Sequence, residues 1–217
     1  MRCEMMCEMA HFLRAITRVL TKNKELHKMK KRIIVSLLII MALGGMVMAY
    51  CKSPSTDDLR EGDVVFQISK SRQSKYVIFS SSSLWSHCGV IIEKSDGLYV
   101  LEAASTVRLT PYKKWQSKGR GGIVKARRYT DKPVKIKYSK YLGKPYDLAF
   151  RFNNDAWYCS ELVYDIYKNQ LGIELCTPRP VSSYNLTGLD KILQKRGIKK
   201  TQLVVAPSDL YDVGKGI

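Results

Sequence analysis

Asp155-Ala156-Trp157-Tyr158-Cys159-Ser160-Glu161-Leu162-Val163-Tyr164 is the stretch on which the fold turns. Apolar residues recur at Leu162, Val163, Ile166, Tyr167 and Leu171, and Gly172 follows as a terminator. This is the i, i+3, i+4 spacing of a helix with one buried side. Asn153, Asn154 and Asp155 offer cap-forming side chains ahead of it, so Cys159 is expected at or near the first turn. Unpaired N–H groups and the positive end of the helix dipole meet there, and both favour a thiolate over a thiol. Cysteine beside an apolar helix face can also simply pack, so the rest of the chain has to decide.

A thiolate nucleophile needs a base, and the base needs an acceptor that orients it. The chain has three histidines, at positions 11, 27 and 87, and the first two lie before the apolar segment described below. His87 is therefore the base available to the globular part, at the head of Trp85-Ser86-His87-Cys88-Gly89. Cys88-Gly89-Val90-Ile91-Ile92-Glu93 and Leu98-Tyr99-Val100-Leu101-Glu102 read as two strands joined through Lys94-Ser95-Asp96-Gly97, a hairpin. An even-length loop makes paired positions sum to 193 or 191, which places Glu102 opposite Ile91 or Gly89. Alternation then puts His87, Gly89 and Ile91 on one face with Glu102. In the second register His87 and Glu102 are diagonal neighbours, roughly 7–8 Å apart at the backbone. Cys88 alternates away from His87 and reads as a packing residue.

Further elements follow the same logic. Gly62-Asp63-Val64-Val65-Phe66-Gln67-Ile68 is a first strand, residues 72–84 a short helix, and Pro111 to Lys118 a short helix or turn. Gly122 to Tyr129 is a strand, and residues 134–142 are expected as a short helix before the loop Gly143-Lys144-Pro145-Tyr146-Asp147. A helix near Leu189–Lys195, a strand Gln202 to Val205 and a turn at Pro207-Ser208-Asp209 close the chain. Strands in the middle and helices toward the ends predict an α+β fold with a largely antiparallel sheet.

Three blocks, Gly62-Asp63-Val64-Val65-Phe66, Trp85-Ser86-His87-Cys88-Gly89-Val90-Ile91 and Tyr158-Cys159-Ser160-Glu161-Leu162-Val163, occur in this order, with Gly143-Lys144-Pro145-Tyr146-Asp147 just before the last. Over roughly residues 59–210 the chain resembles the YiiX/YaeF-like branch of the NlpC-type papain-like cysteine hydrolases, in which circular permutation places the histidine before the cysteine. The resemblance implies a papain-like core, with the cysteine helix packed on the sheet that carries the histidine. It implies catalytic roles for Cys159, His87 and Glu102, and a place near the site for Tyr146 and Asp147 as substrate-binding residues.

The N-terminal part reads differently. Met29-Lys30-Lys31-Arg32 is a charged leader, Ile33 to Leu43 an apolar run broken by Gly44-Gly45, and Val47-Met48-Ala49 suits cleavage. Residues 29–49 thus read as a bacterial secretory signal peptide, with an uncleaved anchor as the alternative. Residues 1–28 read as an upstream gene-model extension, residues 50–61 as a linker and residues 62–217 as the hydrolase domain. Export to the periplasm or cell envelope follows, and Cys51 lies close enough to suggest a lipoprotein, although Tyr50 stands where a small residue is expected.

Of the net charge of +18, residues 50–217 carry +12. That suits an anionic envelope surface. No basic helix with regularly placed polar readers argues for nucleic acid. The cysteines lack paired C-x-x-C spacing, so neither a metal site nor a cofactor is expected. The reading that results is an exported amidase or peptidase acting on a small peptide or amino-acyl amide, such as a cell-wall peptide. Lipid ester hydrolysis or acyl transfer, and an inactive binding module, are the alternatives.

Overall fold

The computed structural model describes residues 28, 31–41 and 53–217. The chain divides into two units at Cys51/Lys52. In the first, residues 31–41 are helical with exposed side chains, spanning most of the apolar run of the expected signal peptide. The cleavage segment Val47-Met48-Ala49, Cys51 and residues 1–27 lie outside the described residues. Among the described residues no helix is long and apolar enough to cross a membrane.

The second unit is built on a sheet of β1 (Val64–Ser69), β2 (His87–Lys94), β3 (Gly97–Ala103), β4 (Val107–Pro111), β5 (Gly119–Arg128) and β8 (Lys215–Gly216). Their spatial order is β4-β3-β2-β1-β5-β8, with every neighbour antiparallel. The cysteine helix α3 (Cys159–Asp165) continues as a π-helical turn over Ile166–Leu171 and stops at Gly172, whose φ of 68° is the left-handed conformation glycine adopts freely. Its Leu162, Val163, Ile166 and Tyr167 are buried against Val64 and Phe66 of β1, Cys88, Val90 and Ile92 of β2, and Leu101 of β3. Each such large side chain contributes about 1.5–3 kcal/mol. Period-2 alternation hands the other face, with Val65, Ile91, Val100 and Val124, to Tyr112 and Trp115 of α2 (Tyr112–Ser117). Both faces of the central strands are therefore covered.

Helix α1 (Ser74–Ser81), the two-stranded pair β6 (Arg179–Pro180) and β7 (Leu203–Val204), and α4 (Asp190–Arg196) gather around a third apolar cluster. That cluster contains Val181, Leu189, Leu193 and Val204. The final turn forms α5 (Pro207–Tyr211), which has proline in its first turn. The strand expected at Gln202 to Val205 is present only as β7, outside the main sheet.

Three local expectations differ from the structure. Residues 134–142 form no helix, because their backbone donors go elsewhere. Ile136 N donates to Glu61 Oε1 at 2.7 Å and Lys137 N to Gln170 Oε1 at 2.9 Å. The helix cap falls at Tyr158, whose N–H donates to Glu161 Oε2 at 3.3 Å; Asn154 and Asp155 serve the preceding loop instead. The stretch 53–61, read as linker, lies against the domain: Val124 N donates to Ser53 Oγ at 2.9 Å, and Leu59 and Glu61 are buried.

Candidate active site

The hairpin closes with Lys94 opposite Gly97 and Val90 opposite Leu101, so paired positions sum to 191. Of the two registers open in the sequence, this is the one that makes His87 and Glu102 diagonal neighbours. Their side chains meet, with Nε2 of His87 2.7 Å from Oε2 of Glu102. Gly89 lies between them in this weave. A Cβ there would stand 2.5 Å from Val100 Cγ1 and 2.7 Å from the Leu101 carbonyl oxygen, so glycine lets the strands close.

Glu102 is held by more than His87. Oε2 also accepts from Trp115 Nε1 at 3.0 Å, while Oε1 accepts from Thr110 Oγ1 at 2.7 Å and Arg108 Nε at 3.1 Å. Arg108 pairs directly opposite Glu102 across β3 and β4, and Trp115 arrives from α2 under the same face. Burial alone would raise the carboxyl's pKa. The His87 hydrogen bond and charge, Thr110 and Arg108 outweigh it and hold Glu102 at about 2. Glu102 is thus a carboxylate, buried and fully occupied. Sequence reasoning missed Arg108, Thr110 and Trp115, although the same alternation that found Glu102 puts Arg108 and Thr110 on its face.

With Nε2 committed to Glu102, Nδ1 is the ring nitrogen left for Cys159, whose proximity is felt in the imidazole's pKa. Burial would lower the imidazole pKa, but the Cys159 and Glu102 hydrogen bonds and charges raise it to about 9. Cys159 moves the other way. A hydrogen bond from the Cys88 thiol is the largest influence; burial opposes it; the His87 hydrogen bond and charge add to it, and the thiol pKa falls well below its usual range. A thiolate–imidazolium pair is the state this geometry favours.

Cys88 therefore does more than pack. Alternation does turn it away from His87, but that places it on the α3 face, directly beneath Cys159. His87 opens β2, and the next residue, Cys88, shares the core cluster with Cys159. Burial and the Cys159 charge push the Cys88 thiol well up, so it stays protonated and can donate.

The loop before α3 is zipped to the β3–β4 turn. Tyr146 N donates to the Ser105 carbonyl at 3.1 Å, and within the loop itself Trp157 N donates to the Pro145 carbonyl at 2.9 Å. This lays Tyr146 beside Cys159, where it lines both hollows of the site and its hydroxyl accepts from Gln73 Nε2 at 2.7 Å. Asp147 has a different task. Its oxygens accept from Ala149 N at 2.8 Å, Arg151 N at 2.6 Å and Asn154 Nδ2 at 2.9 Å, so the carboxylate is spent shaping the loop.

Two hollows adjoin Cys159 and His87. A pocket of about 120 Å³ runs behind Cys159 into the third apolar cluster, past Tyr76, Val77, Phe150, Leu189 and Ile192. A cleft of about 510 Å³ opens on the other side past His87, Glu102, Lys70, Arg108 and Lys118.

A sheet bearing His87 and Glu102 packed on a helix that opens with Cys159 is the arrangement of a papain-like enzyme, with the histidine first in the chain. Residues 58–215 match the family described as permuted papain-like amidase enzyme, YaeF/YiiX, C92 family, and the chain belongs to it. Among its relatives is the uncharacterized protein YiiX of Escherichia coli K12, 32% identical over 187 residues, which cover 81% of this chain and 90% of that protein. The crystal structure of YiiX from Escherichia coli O157:H7, described as a metalloprotein, superimposes with a TM-score of 0.65 at 31% identity, covering 73% of this chain and 94% of that one. Among the described residues here, no group of three or more His, Cys, Asp or Glu is arranged to hold a metal ion.

Proposed function

We propose that the chain is a cysteine-dependent amide hydrolase that works through Cys159, His87 and Glu102. The single observation that carries this reading is the hydrogen bond of Glu102 to His87 at the head of β2, a strand on which the helix that opens with Cys159 is packed. Glu102 fixes the imidazole ring and keeps it charged. His87 keeps Cys159 as a thiolate, which attacks the carbonyl carbon. The backbone N–H of Cys159, with no helical partner of its own, receives the negative oxygen. As the C–N bond breaks, His87 gives its proton to the leaving amine. The resulting thioester is opened by water, for which neutral His87 is the base, and Cys159 is released.

Substrates of this reading are small peptides or amino-acyl amides, such as cell-wall peptides, met after export directed by residues 29–49. The basic domain suits an anionic envelope. A second reading keeps the thiol chemistry and replaces the amide by a lipid ester or an acyl transfer; the apolar residues lining the pocket behind Cys159 suit it only for a short acyl chain. Intact-mass spectrometry during turnover of peptide amides and acyl esters separates these readings. An acyl adduct on Cys159 with amides, absent in Cys159→Ala, supports the first; adducts with esters alone support the second. No adduct with either class overturns both.

A further inference from the structure

The two hollows share Gln73, Ser86 and Tyr146 but differ in chemistry, and the mechanism assigns a substrate half to each. The leaving group must lie where His87 can protonate it, because the general acid has to reach the departing atom. His87 lines the cleft and not the pocket, whereas Cys159 lines the pocket. The acyl half therefore extends from Cys159 into the pocket, and the leaving half lies in the cleft.

Resting on the hydrolase reading above, we infer that the enzyme takes a compact apolar acyl group, of isobutyl or benzyl size, behind Cys159 and releases an anionic amine beside His87. The pocket's volume sets the first term. At about 120 Å³ it is a little smaller than the ~150 Å³ apolar cavity that holds a benzene ring. A short branched or aromatic group fills it, and a long fatty chain does not. Its walls are mostly apolar, with Val77, Phe150, Leu189 and Ile192 among them, while Gln73, Ser86 and Arg196 supply polar groups at the lining. The cleft's charge sets the second term. Lys70, Arg108 and Lys118 line it with the single carboxylate of Glu102, to which His87, Arg108 and Lys118 are all paired, so positive charge is in excess. A carboxylate or phosphate on the departing amine is attracted there; a cationic amine is repelled.

The test needs no known substrate. Cys159 is alkylated with methyl, isobutyl and pentadecyl chloromethyl ketones, and each rate is divided by that of the same reagent with glutathione. The isobutyl reagent should exceed the methyl one at least tenfold, with the pentadecyl reagent no faster than isobutyl. Val77→Phe should cut the isobutyl-to-methyl ratio at least fivefold. The ratio of iodoacetate to iodoacetamide labelling, normalised in the same way, should exceed one at low salt, fall as salt rises, and drop in Lys70→Ala. A flat ketone series, a pentadecyl optimum or an iodoacetate ratio at or below one overturns the inference. If iodoacetamide labelling of Cys159 remains fast and His87-dependent in that case, the hydrolase reading still stands. Labelling indifferent to His87→Ala overturns the hydrolase reading, and the inference with it.

Discussion

Glu102 and His87 are joined by a 2.7 Å hydrogen bond between diagonal positions of one hairpin, so the turn at Ser95-Asp96 sets the register of the site. A one-residue slip would send Glu102 to the opposite face of the sheet. The chemistry of Cys159 thus depends on a turn at the far end of two strands.

Gly89→Ala tests that dependence. The added Cβ would press on Val100 and on the Leu101 backbone, where the strands cannot part without moving His87 from Glu102. Unfolding midpoint and Cys159 labelling rate should fall together, with a stability loss of about 1–3 kcal/mol by urea titration. A stable variant with normal labelling would contradict it.

Glu102→Gln keeps the shape and removes the charge. The His87 pKa should fall from about 9, and the alkaline limb of the pH–activity profile should move to lower pH with it. Activity should drop about 10²–10⁴-fold, the range typical of positioned acid–base groups. Thr110→Val and Trp115→Phe, which each remove one donor to Glu102, should shift the same limb by less.

Stability against acid follows from the same carboxylate. Its folded pKa lies below the unfolded value, from 4.5 to about 2. The contribution is therefore present above about pH 4.5 and lost as pH falls toward 2, on the order of 3 kcal/mol for such a shift. Thermal unfolding followed from pH 6 to pH 2 should show a steeper loss in the wild type than in Glu102→Gln.

Cys88→Ala should raise the pH midpoint of Cys159 labelling, because the thiolate loses its largest stabilising contact while His87 remains. Rates compared with iodoacetamide from pH 4 to pH 9 check this. An unchanged midpoint would return Cys88 to a purely packing role.

Much of this site was legible in the sequence, through two periodicities. The 3.6-residue pattern ending at Gly172 found the helix and placed Cys159 at its start; the period-2 hairpin placed Glu102 with His87. The misses have physical causes. Trp115 comes from α2, and no local pattern says which carboxylate its N–H will meet. Strand alternation relates Cys88 to His87 alone, while the helix above the other sheet face decides its partner. Asp147 lies beside the site but turns into its own loop, a choice made by the Ala149 and Arg151 N–H groups. Residues 134–142 carry helix-like apolar spacing, yet Glu61 and Gln170 capture the backbone donors that a helix would need.

The central claim is that Cys159 is a thiolate maintained by His87, and iodoacetamide labelling across pH, read by mass spectrometry in wild type and His87→Ala, tests it most directly. The account predicts fast labelling of Cys159 well below the free-thiol pKa of about 8.5, and a marked slowing in His87→Ala. Labelling that rises only near that pKa and ignores His87 would contradict it.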